Sequence, residues 1–114
     1  MQLITEEDMR TLLENGRRAA ANPNYDPYPV LKLFTPDADA TWLISQADPD
    51  EPDILFGLCD LGVGFPELGT VRLSDIAAIR GPVGLPVERD TAFRAERPIS
   101  EYADLANEAG SITV

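Results

Sequence analysis

In the N-terminal part of the chain, apolar residues recur at helical spacing among polar residues. Residues 5–21 place leucine and methionine side chains on one stripe, with Gly16 next in phase. Thr5 stands before the stripe as an N-cap, and Asp8 three positions later completes a variant of the capping box. The pattern predicts a helix over residues 5–21, in which Gly16 is a weak point where the helix could end early.

Short apolar runs, separated by turn residues, follow a proline-rich connector at 22–29. Four of them predict strands, at 30–34, 40–47, 54–61 and 70–73. Because short loops without an intervening helix join these runs, we expect antiparallel hairpins. A fifth run at 87–93 contains several charged residues, which predicts a strand at the edge of the sheet.

Two further helices are indicated by serine caps. Ser74 is the expected N-cap of a short helix at 75–79, and Ser100 that of a C-terminal helix that stops at Gly110. We therefore predict one α+β domain over residues 1–114. Its expected architecture is an antiparallel meander of four to five strands with an N-terminal helix, a short helix after the fourth strand and a C-terminal helix, covering one face of the sheet.

Composition narrows the possible chemistry. The chain has no histidine and a single cysteine, Cys59, which excludes Ser-His and Cys-His nucleophile pairs, an internal disulfide and a cysteine-based zinc site. We expect Cys59 to be a buried small apolar residue, and we predict no cofactor, no metal and no catalytic residue. The sequence has neither a membrane-spanning run nor a secretory leader, so a cytoplasmic location is expected.

Charge is the second strong signal. Twenty acidic residues against nine basic ones give a net charge of −11. Such a surface repels phosphates, so we predict no direct binding to nucleic acid or to an anionic membrane. The same charge either keeps the domain dissolved or attracts a basic partner.

Several motifs occur in an order and spacing typical of one protein family. They are Phe34-Thr-Pro-Asp37, Trp42, Phe56-Gly-Leu58, Glu67-Leu-Gly69, Leu73-Ser-Asp-Ile76 and Arg80-Gly-Pro-Val-Gly-Leu-Pro-Val-Glu-Arg-Asp90. Together they resemble the bacterial domain-of-unknown-function family DUF2958, as far as about Phe93, while residues 94–114 look particular to this chain. The resemblance implies a small cytoplasmic bacterial protein of a kind often encoded on plasmids or other mobile elements. It brings no activity and no site residues.

The last of these motifs is a candidate ligand site. Its glycines and prolines could present Arg80, Glu88, Arg89 and Asp90 around a cleft, with Trp42 nearby. An arginine fork there would bind a carboxylate or phosphate. The alternative is that the four charged residues pair among themselves and pin an irregular segment to the sheet.

A second candidate is the acidic turn that contains Asp48, Asp50, Glu51 and Asp53. It lacks the central glycine and terminal glutamate of a calcium loop, so we interpret it as a solvated hairpin tip that could contact a partner. The aromatic side chains of the middle segment are expected to form core instead of a ligand pocket. These are Phe34, Trp42, Phe56 and Phe65.

The sequence is best explained by a non-enzymatic module whose acidic surface engages a protein partner, for which a basic protein is one candidate. A small-ligand or enzymatic site around residues 80–90 is the first alternative, and an acidic DNA mimic is the second. A homodimer formed through an exposed sheet edge is a further expectation.

Overall fold

The computed structural model describes residues 2–114. Its elements, in chain order, are α1 Glu6–Ala21, β1 Leu31–Phe34, β2 Thr41–Ala47, β3 Ile54–Asp60, β4 Glu67–Arg72, α2 Leu73–Ala78, β5 Glu88–Arg89 and α3 Ile99–Ala109. Within that range no helix has the length and apolar character needed to cross a membrane. The predicted α+β class and order of elements are confirmed.

The five strands form one open antiparallel sheet in the order β4-β3-β2-β1-β5. The fourth strand begins at Glu67, before the predicted start at residue 70, because Gly69 pairs with Gly57 and the ladder continues through both glycines. The fifth strand has only two residues, which pair with the end of β1. The sheet therefore has one long edge, β4, and one short edge, β5.

Helices cover both faces of the sheet, and the expectation of one covered face is wrong. Side chains alternate between faces along a strand, so Trp42 and Leu43 point in opposite directions. Trp42 packs in the cluster with residues of α1 and α2, whereas Leu43 and Leu58 pack with α3. The central strands are apolar on both faces, and each face therefore requires its own helix.

The N-terminal helix begins at the predicted cap and extends through Gly16 to Ala21, as the predicted range requires. Thr5 caps it, and the Thr5–Asp8 capping box forms both of its hydrogen bonds at 3.1 Å. At Gly16 the helix lies directly against the end of β2. A Cβ atom at Gly16 would overlap the carbonyl oxygen of Ala47.

The N-termini of the two later helices are bound by aspartates that are distant in the sequence, and the prediction that serines are the N-caps is wrong. Ser74 and Ser100 are the second residues of α2 and α3, and the residues at the cap positions form no side-chain cap bond. Asp53 instead accepts the backbone N–H of Ser74 at 3.0 Å and its hydroxyl at 2.7 Å. Asp26 accepts the backbone N–H of Ser100 at 3.1 Å and also binds its hydroxyl. Each of these helix starts is thus tied to a distant segment.

Gly16→Ala tests the close approach of α1 to β2. Helix propensity alone would make alanine more stable by about 1 kcal/mol at this position. We expect the reverse, a loss of about 1–3 kcal/mol, because the methyl group must push α1 away from Ala47. Urea unfolding followed by circular dichroism measures the difference.

Gly69→Ala is the matched control, since nothing lies within 4 Å of a Cβ atom at Gly69. It should leave the free energy of unfolding nearly unchanged or slightly higher. A stabilised Gly16→Ala variant would contradict the packing described for α1.

Candidate functional site

Arg89 connects β5 to the start of α1. Its Nη1 atom lies 2.5 Å from Oδ2 of Asp8 and 3.1 Å from the carbonyl oxygen of Leu3. Both charged side chains are about four-fifths buried. Burial by itself raises the pKa of Asp8, but the hydrogen bonds from Arg89 and Thr5 outweigh it and hold this pKa below its usual value. Arg89 therefore acts as a tie between two elements.

Arg80 and Glu88 occupy separate positions. The Arg80 guanidinium donates to the carbonyl oxygens of Ala77 and Ile79, at 3.0 and 2.8 Å, at the end of α2. Glu88 is exposed and pairs with Phe34 across the short β5 ladder. Among residues 2–114 no ion pair joins Arg80, Glu88, Arg89 and Asp90 to one another.

Asp90 lies close to a lysine of β1. Its Oδ2 atom is 3.5 Å from Nζ of Lys32, and both residues line an open cavity of about 420 Å³ together with Arg89. Arg80 and Glu88 form no part of that lining. Trp42 is 2% exposed and packs in the core under α1. The structure thus brings together two of the five residues considered for a ligand cleft.

The acidic turn is partly committed to holding the fold. Asp48 accepts the backbone N–H groups of Asp50 and Glu51, which shapes the turn. Glu51 and Asp53 both face Arg72, at 3.4 and 3.6 Å. Hydrogen bonds from the start of α2, and then from Arg72, hold the pKa of Asp53 below its usual value.

The other two acids of the turn border a groove. Asp48 and Asp50 line a depression of about 580 Å³ between the second half of α1 and the β2–β3 turn. Apolar residues that include Ala20, Ala47 and Leu55 line the same depression. Asp48 thus shapes the turn and also borders the groove, Asp50 borders the groove without an ion pair to a described residue, and Glu51 and Asp53 face Arg72.

Groups suited to metal binding or nucleophilic attack do not converge. Within residues 2–114 there is no cluster of three or more histidine, cysteine, aspartate or glutamate side chains that could hold a metal ion. Cys59 is half-buried in β3, and burial raises the pKa of its thiol. The uncharged thiol is therefore favoured at neutral pH, which makes it a poor nucleophile.

An exposed apolar loop was missed by the sequence analysis. Leu61, Val63 and Phe65 are 63%, 69% and 75% exposed, so the expectation that Phe65 forms core is wrong. The two glycines between them have φ of +80° and +88°, a left-handed backbone that ends the strand and turns the apolar side chains outward. The signal that could have revealed this is the strict alternation of apolar residues with glycine at 61–65, which we call the apolar loop.

The apolar loop leads directly into β4, the outermost strand on its side of the sheet. Leu68 of this strand is itself 42% exposed. An apolar surface and an open sheet edge therefore adjoin at one end of the molecule.

The family described as "Protein of unknown function (DUF2958)" matches residues 3–113, and the chain therefore belongs to this family. The match continues beyond Arg94, so it includes α3 and most of the stretch that the resemblance had left outside the family. No curated protein and no solved structure matches the chain. Function must accordingly be argued from the geometry.

Asp8→Asn tests the tie between Asp8 and Arg89. At neutral pH we expect a loss of about 2 kcal/mol, because the partly buried guanidinium loses its carboxylate. The folded-state pKa of Asp8 is lowered, so this contribution is complete above about pH 4 and is lost as the pH falls through the folded-state value. Urea titrations at about pH 7 and about pH 3 should therefore show a smaller difference between variant and wild type in acid.

Glu7→Gln provides the control, since Glu7 is exposed in the same helical turn and forms no ion pair with a described residue. It should change stability little at either pH. An equal loss at both pH values for Asp8→Asn would contradict the assigned role of the carboxylate.

Proposed function

We propose that this protein is a non-enzymatic protein-interaction module whose main contact surface is the apolar loop. The observation that carries the proposal is the exposure of Leu61, Val63 and Phe65 within five residues. Single exposed apolar residues are common on proteins, but several large ones together mark an interaction surface. Burial of these side chains against a partner would recover free energy that the isolated chain leaves unused.

A basic partner is supported by the distribution of charge. Ion pairs already occupy five of the nine basic residues, namely Arg17, Arg18, Lys32, Arg72 and Arg89. The net charge of −11 therefore acts on the surroundings mainly through acidic groups, including Asp50 at the groove and Glu67 beside the apolar loop. Such a field speeds association with a positively charged protein and weakens with added salt.

The two alternatives have less support. Arg89 and Asp90 have intramolecular partners that account for their charges without a ligand. A DNA mimic needs free carboxylates in a regular array, and Glu51 and Asp53 are engaged with Arg72. We also propose that the protein acts in the cytoplasm and is encoded on a bacterial mobile element.

The test is a pull-down from bacterial lysate with a Val63→Ser/Phe65→Ser double variant. The wild type should capture a stoichiometric protein at about 0.1 M salt and less of it at about 1 M salt, where charges are screened within a few ångströms but apolar burial persists. The double variant should lose that protein, because polar side chains leave little apolar area to bury.

Val83→Ser is the matched control, since Val83 is 74% exposed in a different loop. It should capture the same protein as the wild type. Capture that is unchanged in the double variant, or no capture by the wild type at either salt concentration, would overturn the proposal.

A further inference from the structure

We infer that the outer edge of β4 receives an extended basic segment of the partner, which adds a sixth strand to the sheet. This inference rests on the proposed interaction function and specifies its mode. Three features of β4 support it: the direction of its backbone hydrogen-bonding groups, the limited protection of its edge and the charges around it.

The register shows which backbone groups of β4 are unpaired. The N–H of Leu73 donates to the carbonyl of Asp53 at 2.8 Å, and the β3–β4 pairing continues this register without a shift. In an antiparallel ladder, hydrogen-bonded residues alternate with residues whose N–H and C=O point to the other side. Every second residue of β4 therefore directs both groups away from β3. These residues are Leu68, Thr70 and Arg72.

Among residues 2–114, the N–H and C=O groups of Leu68 and Thr70 and the N–H of Arg72 form no hydrogen bond with another element. The carbonyl of Arg72 is excepted, because Arg72 is the N-cap of α2 and its C=O belongs to the first turn of that helix. The edge has few of the features that usually protect one, since its two charged residues, Glu67 and Arg72, stand at its ends. It is six residues long, contains neither proline nor lysine, and has no bulge. The opposite edge strand, β5, has only two residues, and this shortness protects it from pairing. Strand addition is thus possible on one side of the sheet only.

The surroundings of β4 indicate the chemistry of the added strand. Phe65 and Leu68 supply exposed apolar surface at its beginning. Glu67 and Asp75 are exposed acids that form no ion pair with a described residue. The one basic residue of β4, Arg72, already faces Glu51 and Asp53. Apolar residues alternating with lysine or arginine would match both features.

The charge also selects against a second copy of this chain as the occupant. Pairing two copies along β4 would bring together two molecules that each carry −11. Like charges across an interface are unfavourable, whereas a basic strand is attracted by the same field. The homodimer expected from the sequence is therefore an outcome that the experiment must detect, and sedimentation of the free protein does so.

The probe is the capped peptide Lys-Val-Lys-Val-Lys-Val-Lys, added to isotope-labelled protein and followed by amide NMR shifts. The peptide should shift the amide signals of β4 and slow exchange at its outward N–H groups. Thr70→Pro should weaken binding about tenfold, since it removes one outward donor. The fold should persist because the Thr70 N–H forms no bond with β3, and proline is tolerated in edge strands at such positions. Thr70→Ala keeps the donor and should bind like the wild type.

Two further peptides keep the test decisive even if Thr70→Pro does not fold. Methylation of the peptide nitrogens that face the protein should abolish binding, because it removes the ladder bonds without changing the charge. A Glu-Val peptide of equal length should bind much more weakly than the Lys-Val peptide. Binding that tolerates methylation, shifts that lie away from β4, no binding of the Lys-Val peptide, or a dimer held together through β4 would each overturn the inference.

Failure of strand addition can be distinguished from failure of the proposed interaction function. If the pull-down captures a partner through the apolar loop but Thr70→Pro captures it equally well, the interaction function stands and strand addition is wrong. If no partner is captured through the loop, the proposed function itself fails.

Discussion

Coverage of both sheet faces is the constraint on which the rest of this structure depends. The central strands carry apolar side chains on each face, so α1 and α2 close one side and α3 closes the other. Gly16 allows α1 to lie directly against β2 at Ala47. Because both faces are filled, another molecule can reach the sheet only at an edge or through a loop. The exposed apolar loop and the unpaired edge of β4 are the places where the structure leaves this possibility open.

Acidic side chains hold the covering helices in place. Asp53 binds the start of α2, Asp26 binds the start of α3, and Asp8 in α1 binds Arg89 of β5. In each case a carboxylate joins segments that are distant in the chain. Several of the acidic residues behind the net charge therefore hold the fold together. The acids without such an intramolecular role are the ones that can act on a partner.

Local signals in the sequence predict the helices and strands, but they do not predict the long-range contacts and the exposure of residues in the folded chain. The start of α1 depends on Thr5 and Asp8, which lie three residues apart, and it was predicted correctly. The caps of α2 and α3 come from residues 21 and 74 positions away from the serines they bind, and no local pattern reveals such a cap. Phe65 was expected in the core because aromatic residues usually are, but the glycines on either side of Val63 turn this segment outward. Arg89 and Asp90 pair with Asp8 and Lys32, which are distant from them in the sequence, and no local pattern reveals such pairs.

The central claim is that the edge of β4 is unpaired in the free protein, and amide hydrogen exchange tests it most directly. Val71 and Gly69 should exchange slowly because their register places them in hydrogen bonds with β3. Leu68, Thr70 and Arg72 should exchange at rates close to those of an unstructured peptide. Slow exchange at these three positions would show that the edge is already covered, which would contradict the account.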